Sequence, residues 1–392
     1  MRWTLAGPLV LALLLRAVPI LIADRDVADV HRYQRMGRHL LDVSWNPYET
    51  KRLYPYPPLW APFEAGAEWL SRHGLGSFAI DVKLPVLFAD LLIALALVAA
   101  GRAGRAPPAA AWIYAVHPVS ILVTGFHGQF DSIALLFVLL ATGALARGRR
   151  DGSALFLAAA IGTKSFPVLL VPFFAFAGAA SWGKALRYAF LATAPVALLL
   201  LPFAMADLPA LRRELLAYSG IADFGWTGFV RGVTWLATGD LARSEARVWP
   251  VASAASKVLF LAAWSALVLA TRRGWLAFTP AQAGLATFVA FNVFYGALSA
   301  QYLLWVVPLG VLWPNRALAS HAAAATTALV GFYLFLAQGV LLPAPLEGTA
   351  ATWAGRVWVA GVFATLAVSV AWLASVIREG VLAARRPGAP AG

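Results

Sequence analysis

The chain has 392 residues, 61% apolar and only 12% charged, with a net charge of +13 and no cysteine. Soluble domains are nearer half apolar and a quarter charged, so a water-soluble globule is excluded and a polytopic all-α membrane protein is expected. Disulfides and thiolate metal sites are excluded too. With most of the chain in lipid, the basic excess points to anionic or phosphate-bearing lipids and not to nucleic acid.

In chain order, apolar segments fall at 3–23, 81–100, 107–124, 130–146, 153–163, 165–180, 185–204, 248–270, 279–298, 300–314, 318–342 and 353–377. These predict about twelve transmembrane or membrane-embedded helices. Residues 1–23 begin like a secretory leader, with Arg2 before an apolar stretch. That stretch is longer than a leader core and no small-x-small cleavage site follows, so a retained first helix is expected. Segments 153–163 and 165–180 are too short to cross about 30 Å, and predict a broken or re-entrant pair around GTKSFP. Basic short loops at 101–105, 147–150, Lys184/Arg187, 272–273 and Arg316 fall on alternate connections. The positive-inside rule then places both termini in the cytoplasm, with two long loops, 24–80 and 205–247, on the opposite, outer face. The expected organisation is one membrane domain over 1–380 and a flexible cytoplasmic tail over 381–392.

The first long loop reads as structured. DVADVHRYQRMGRHLL is helix-compatible, with Val30, Tyr33, Met36 or Gly37, and Leu40 or Leu41 near 3–4 spacing. NPYETKRLYPYPPLW holds Pro47, Pro55, Pro57 and Pro58, which oppose regular helix. In PLWAPFEAGAEWLSR, Leu59, Trp60, Phe63, Trp69 and Leu70 stand against Glu64 and Glu68, as in a helix lying in the membrane interface. Both long loops are basic, including Arg25, Arg32, Arg35, Arg212, Arg213 and Arg231. A solvated surface accounts for such charges, and so does a phosphorylated ligand.

Polar residues interrupt the apolar pattern on the same expected face. Asp24, Asp26, Asp29 and Asp42 lie in the first loop, and Tyr33 follows Asp29 by one helical turn. In GFHGQFD, Asp131 reads alone as a helix cap or first-turn acid, which leaves His127 and Gln129 unexplained. Lys164 in GTKSFP either snorkels to headgroups or binds an anion in a cleft. Gln301 and Tyr302 break an apolar run in ALSAQYLLWVVPL. Polar groups at membrane depth are functional candidates.

These stretches resemble the polyprenyl-phosphate-sugar-dependent glycosyltransferases of the GT-C class, such as mannosyltransferase I of GPI-anchor synthesis and bacterial members. DVHRY, NPY and YPYPPL are similar to the first luminal loop of that class, and HPVSILVTGFHGQFDSI to its segment ending in an amide and an aspartate. KSFP and SAQYLLWVVP resemble its lysine-aromatic-proline turn and its late motif. LAYSGIADFGWTG resembles the bacterial tyrosine-x-glycine and glycine-tryptophan-glycine loop, with a threonine interrupting the last triplet. The resemblance covers roughly residues 20–310 and implies a GT-C fold.

It further implies inverting transfer of a sugar, mannose first, from a polyprenyl-phosphate donor to a lipid-linked or glycan acceptor. A phosphate leaving group needs no proton, so one carboxylate as general base suffices. By the resemblance that base is Asp29, with Asp26 the runner-up. Lys164, His127, Gln301, Tyr302 and Arg231 are candidates for the departing phosphate, and Gln129 and Asp131 for sugar hydroxyls. Tyr54 and Tyr56 of YPYPP join them as substrate-binding candidates. The scheme needs no cofactor, although the His/Asp content of that face admits a divalent cation. A transporter or flippase would also explain many spans and a basic cavity, but no two-half repeat is found. A non-catalytic scaffold leaves the carboxylates unexplained.

Overall fold

The computed structural model of the protein describes residues 6–25, 29–51, 53–179, 181–216, 221–241 and 249–386. The described residues are helical and without strands; one isolated antiparallel bridge joins Phe224 and Leu298. Two units divide the chain, the first formed by 1–116, 120–171 and 181–218, the second by 117–119, 172–180 and 219–392.

The first unit contains α1 (Ala6–Ile22), α2 (Asp29–Asp42), α3 (Ala61–Arg72), α4 (Leu84–Arg102), α5 (Ala110–Val116), α6 (Asp131–Leu145), α7 (Arg150–Thr163) and α8 (Trp182–Leu216). The second contains α9 (Gly225–Thr238), α10 (Trp249–Arg272), α11 (Pro280–Phe294), α12 (Arg316–Phe335) and α13 (Gly348–Ala384). Five helical stretches, 78–102, 182–216, 251–272, 316–335 and 348–384, are long and apolar enough to cross a membrane. The other expected spans are shorter apolar pieces, among them Ala6–Ile22, Asp131–Leu145 and Pro280–Phe294.

The expected span 107–124 is not one rod. It comprises α5, a short turn at Pro118–Ser120 and a π-helical turn at Ile121–His127. The pair around GTKSFP is broken as its sequence predicts: α7 ends at Thr163, Lys164 is extended (φ −148°, ψ 142°), and a 3-10 turn begins at Phe166. Pro167 in that turn has no N–H to continue the ladder.

Inside the first unit lies a buried ion pair. Arg16 of α1 donates from Nε to Asp90 Oδ2 of α4 at 2.6 Å, and neither side chain is exposed. Its remaining donors go to the carbonyls of Tyr114 and Ala115 and to Ser120 Oγ, at 3.0, 2.6 and 2.8 Å. Asp90 accepts in addition from Tyr114 Oη, Ser120 Oγ and Thr124 Oγ1. Every partner that desolvation removes is thus replaced, as a buried pair requires.

The first loop folds on itself. Val30, Tyr33, Met36 and Gly37 line the buried face of α2. α3 packs there with the side opposite to its aromatic one: Glu64 is 1% exposed, whereas Phe63 is 44% exposed. Gly37 makes this approach possible, because a Cβ there would stand 2.5 Å from the Glu64 carbonyl oxygen. Glu68 is paired with Arg38 and Arg72 at 3.3 and 2.8 Å. The outward aromatics, Phe63 and Trp69, suit a bilayer interface.

In the second unit α12 and α13 cross closely. A Cβ on Gly331 would stand 2.3 Å from the Trp358 backbone, and one on Gly361 2.3 Å from that of Ala328. Small residues at a helix crossing let dispersion contacts act where lipid supplies no hydrophobic drive.

Burial pushes the Glu64 carboxyl well above its ordinary value of 4.5. Such a group holds its proton more tightly when folded, so its contribution is intact below that value and is lost as pH rises towards the folded pKa. The slope in that window is about 1.4 kcal/mol per pH unit. Glu64→Gln should therefore raise the unfolding temperature in detergent by an amount that grows as pH rises above the ordinary carboxylate range. A pH-independent difference would show that Glu64 does not titrate in this way.

Candidate active site

The site is assembled where α2 meets the exit of the π-helical turn. A π turn adds a residue to the helical repeat and so re-aims the side chains after it. Gly128 then takes φ +77°, and the space of its missing Cβ is filled by the Lys83 side chain. Lys83 Nζ donates to the carbonyls of Phe126 and Ala23 at 3.1 and 2.9 Å, which fixes this exit against the end of α1. The Gln129 amide closes back on the Val123 carbonyl at 3.1 Å.

His127 and Gln129 both reach Asp29, the first residue of α2. His127 Nε2 lies 3.0 Å from Asp29 Oδ2, and Gln129 Nε2 donates to the same oxygen. Gln129 Oε1 accepts from Lys164 Nζ at 3.4 Å, and Lys164 is ion-paired with Asp131. A continuous chain thus runs Asp29, Gln129, Lys164, Asp131. The Lys164 ammonium lies over the rings of Phe130 and Tyr56, 4.4 and 5.2 Å from their centroids. Trp60 stacks on Phe130 at 4.4 Å and 7°.

The two carboxylates differ in kind. Asp131 is wholly buried and committed to Lys164, whereas the Asp29 side chain keeps 22% of its surface beside a His127 that is 5% exposed. Asp29 Oδ1 accepts no hydrogen bond among the described residues and faces Arg32 Nη1 at 3.9 Å. Burial raises the Asp29 carboxyl, but the hydrogen bond and charge of His127 and the charges of Arg32 and Lys164 outweigh it. The net effect lowers it below its ordinary value, so Asp29 is ionised at neutral pH.

Of the bland readings, the first-turn position of Asp131 stands, while its capping role and the snorkelling of Lys164 give way. Asp131 stands in the first turn of α6, but Phe130 is the capping position and no side chain caps it; the carboxylate goes to Lys164 instead. Lys164 is buried and does not snorkel. Tyr54 is enclosed in the loop core with its hydroxyl on the Pro57 carbonyl at 3.1 Å, while half-buried Tyr56 forms part of the wall under Lys164. Asp26 lies outside the described residues.

The remaining candidates belong to the second unit. Arg231 is paired with Asp223 at 2.7 Å. Gln301 is buried, its Oε1 without a hydrogen bond among the described residues, and Tyr302 packs on Trp305 at 4.5 Å. The threonine interrupting GWTG makes a tertiary contact, since Thr227 Oγ1 donates to the Gly296 carbonyl 69 residues on, and Gly225 before it takes φ +67°. Sequence reasoning did not single out Asp223, nor Arg32 among the loop cations. The Arg16–Asp90 pair had a signal, because each is a lone charge inside an apolar segment.

Lys164→Ala should be costly, about 3–5 kcal/mol, because it strands the Asp131 carboxylate. Replacing both partners by apolar residues, Lys164→Met with Asp131→Leu, should recover most of that stability while leaving Gln129 without its lysine donor. A double variant no more stable in detergent than Lys164→Ala would refute the pairing.

No curated protein matches the chain. Residues 34–180, which include Tyr54, Tyr56, His127, Gln129, Asp131 and Lys164 and begin just after Asp29, match the family described as alpha-(1->6)-mannopyranosyltransferase, N-terminal domain. Over that segment the resemblance to GT-C type mannosyltransferases holds.

Proposed function

We propose that the protein transfers a mannosyl residue, with inversion, from a polyprenyl-phosphate donor to a lipid-linked or glycan acceptor, with Asp29 as general base. The observation that carries this reading is the pair of states of the Asp29 carboxylate oxygens. Oδ2 is held by His127 and Gln129, while Oδ1 is left for an incoming proton. The family match over 34–180 supports glycosyl transfer, and mannose as the sugar, over a transporter.

In the proposed step the acceptor hydroxyl gives its proton to Asp29 Oδ1 as its oxygen bonds to the anomeric carbon. The bond from that carbon to the phosphate oxygen breaks, and the electron pair leaves with the phosphate. No proton is needed on the leaving group. Arg32, at 3.9 Å from the base, is a cation within reach of developing phosphate charge, and the Lys164–Asp131 pair shapes the field behind Gln129. Gln301, Tyr302 and Arg231 are given no step in this scheme. In the cell the site would face the periplasm, with both termini in the cytoplasm, as the positive-inside rule suggests.

Protein in detergent, supplied with labelled polyprenyl-phosphate mannose and mannoside acceptors, should turn over without a sealed bilayer, which a flippase has no means to do. Asp29→Asn should lower transfer by about 10²–10⁴-fold with donor binding kept. Full activity in that variant would remove Asp29 from the role. His127→Ala deletes the largest contribution that lowers the Asp29 carboxyl, leaving burial less opposed. The carboxyl then rises, and the acid limb of kcat/KM should move to higher pH; a limb that stays in place would mean that Asp29 is not the titrating base.

A further inference from the structure

Tyr33 stands one turn after Asp29 on α2, and neither the resemblance nor the scheme above gives it a part. Side chains on a helix lean towards its N-terminus and meet neighbours at i and i+4, so the Tyr33 ring reaches back towards the turn that carries Asp29. It is 2% exposed, and its hydroxyl has no hydrogen-bond partner among the described residues. The ring is fixed edge-on by Trp60 and Phe130, with centroids 5.8 and 5.9 Å away. Buried hydroxyls are normally bonded, and an unbonded one costs free energy that phenylalanine at the same place would avoid.

Several groups that could bond this hydroxyl are already committed. Asp29 Oδ2 holds His127 and Gln129, and Asp131 holds Lys164. Burial and the charges of Tyr56, Asp29, Glu64 and Asp131 push the phenol well above its ordinary range, so it stays neutral and acts as a donor. The nearby Asp29 and Asp131 charges disfavour an anion at this hydroxyl. A sugar hydroxyl fits instead, because it accepts from the phenol and donates to the open oxygen of Asp29.

Building on the mannosyltransferase reading, we infer that Tyr33 is a substrate-binding residue whose hydroxyl donates to a sugar hydroxyl held at Asp29. The packed ring sets the position, and the hydroxyl supplies the recognition. This assigns sugar binding to the buried face of α2 and leaves the departing phosphate to the more exposed Arg32 on the same helix.

The test is Tyr33→Phe in the full chain, purified in detergent, since the ring that packs on Trp60 and Phe130 is kept. Its unfolding temperature should equal or exceed that of the wild type. With polyprenyl-phosphate mannose and a mannoside acceptor, kcat/KM should fall about 10-fold, mostly through KM for one sugar substrate. Mannoside affinity, followed by tryptophan fluorescence, should fall in parallel. Unchanged kcat/KM and affinity would overturn the proposal, and so would a lowered unfolding temperature, which marks the hydroxyl as a structural partner. If the wild type binds mannoside but shows no turnover, the transferase reading fails while Tyr33 is judged on affinity. Absence of mannoside binding overturns both.

Discussion

Arg16 places a guanidinium inside an apolar helix, and the first unit is arranged around satisfying it. An unpaired charge in hydrocarbon is expensive, whereas one whose donors all find acceptors becomes a rigid joint. Asp90, the carbonyls at the end of α5 and Ser120 supply those acceptors, so α1, α4 and α5 are tied at one point. The Thr124 hydroxyl, inside the π-helical turn, shares its one proton between Asp90 Oδ2 and the Ser120 carbonyl, 2.9 and 2.6 Å away. The joint is therefore continuous with the turn that delivers His127 and Gln129 to Asp29. Gly125, where a Cβ would stand 2.9 Å from Pro19, lets that turn lie against α1.

From this frame follows the division of labour between Asp29 and Asp131. Both are carboxylates at the first turn of a helix, and both sit near Lys164. Asp131, without exposed surface and with a lysine in direct contact, has no oxygen aimed at solvent. Asp29 has His127 and Gln129 on one oxygen, while the other accepts no hydrogen bond among the described residues. Environment alone separates a structural acid from a candidate base, which is how paired carboxylates commonly acquire different roles.

Much of this was legible in the residues. The period of Val30, Tyr33 and Met36 marked out α2, and the proline and the short flanks around GTKSFP marked the broken pair. The cluster of His127, Gln129, Asp131 and Lys164 with Asp29 followed from gathering polar breaks on one side. What hydropathy could not show was the π-helical turn, since HPVSILVTGFH has the composition of an ordinary helix end. Nor could it show which face of α3 is buried: the usual rule buries the aromatics, but Arg38, Arg72 and the close approach at Gly37 put the glutamates inside. Lys164 and Asp131 lie 33 residues apart, and their pairing is a product of tertiary structure.

The charges at the site also bear on how one carboxylate could serve a phosphate-leaving reaction. The Asp29 carboxylate lies near Arg32, and that of Asp131 is paired with Lys164. If Asp29 takes the acceptor proton, its negative charge disappears as the departing phosphate gains one. Arg32, which faced Asp29 at 3.9 Å, then has the phosphate as its stronger electrostatic partner. In the proposed step, the proton transfer that activates the acceptor thus weakens the hold of Asp29 on Arg32 as charge develops on the leaving group. A base without an adjacent arginine would lack this coupling. The i, i+3 spacing of Asp29 and Arg32 on α2 supplies both from one turn of helix.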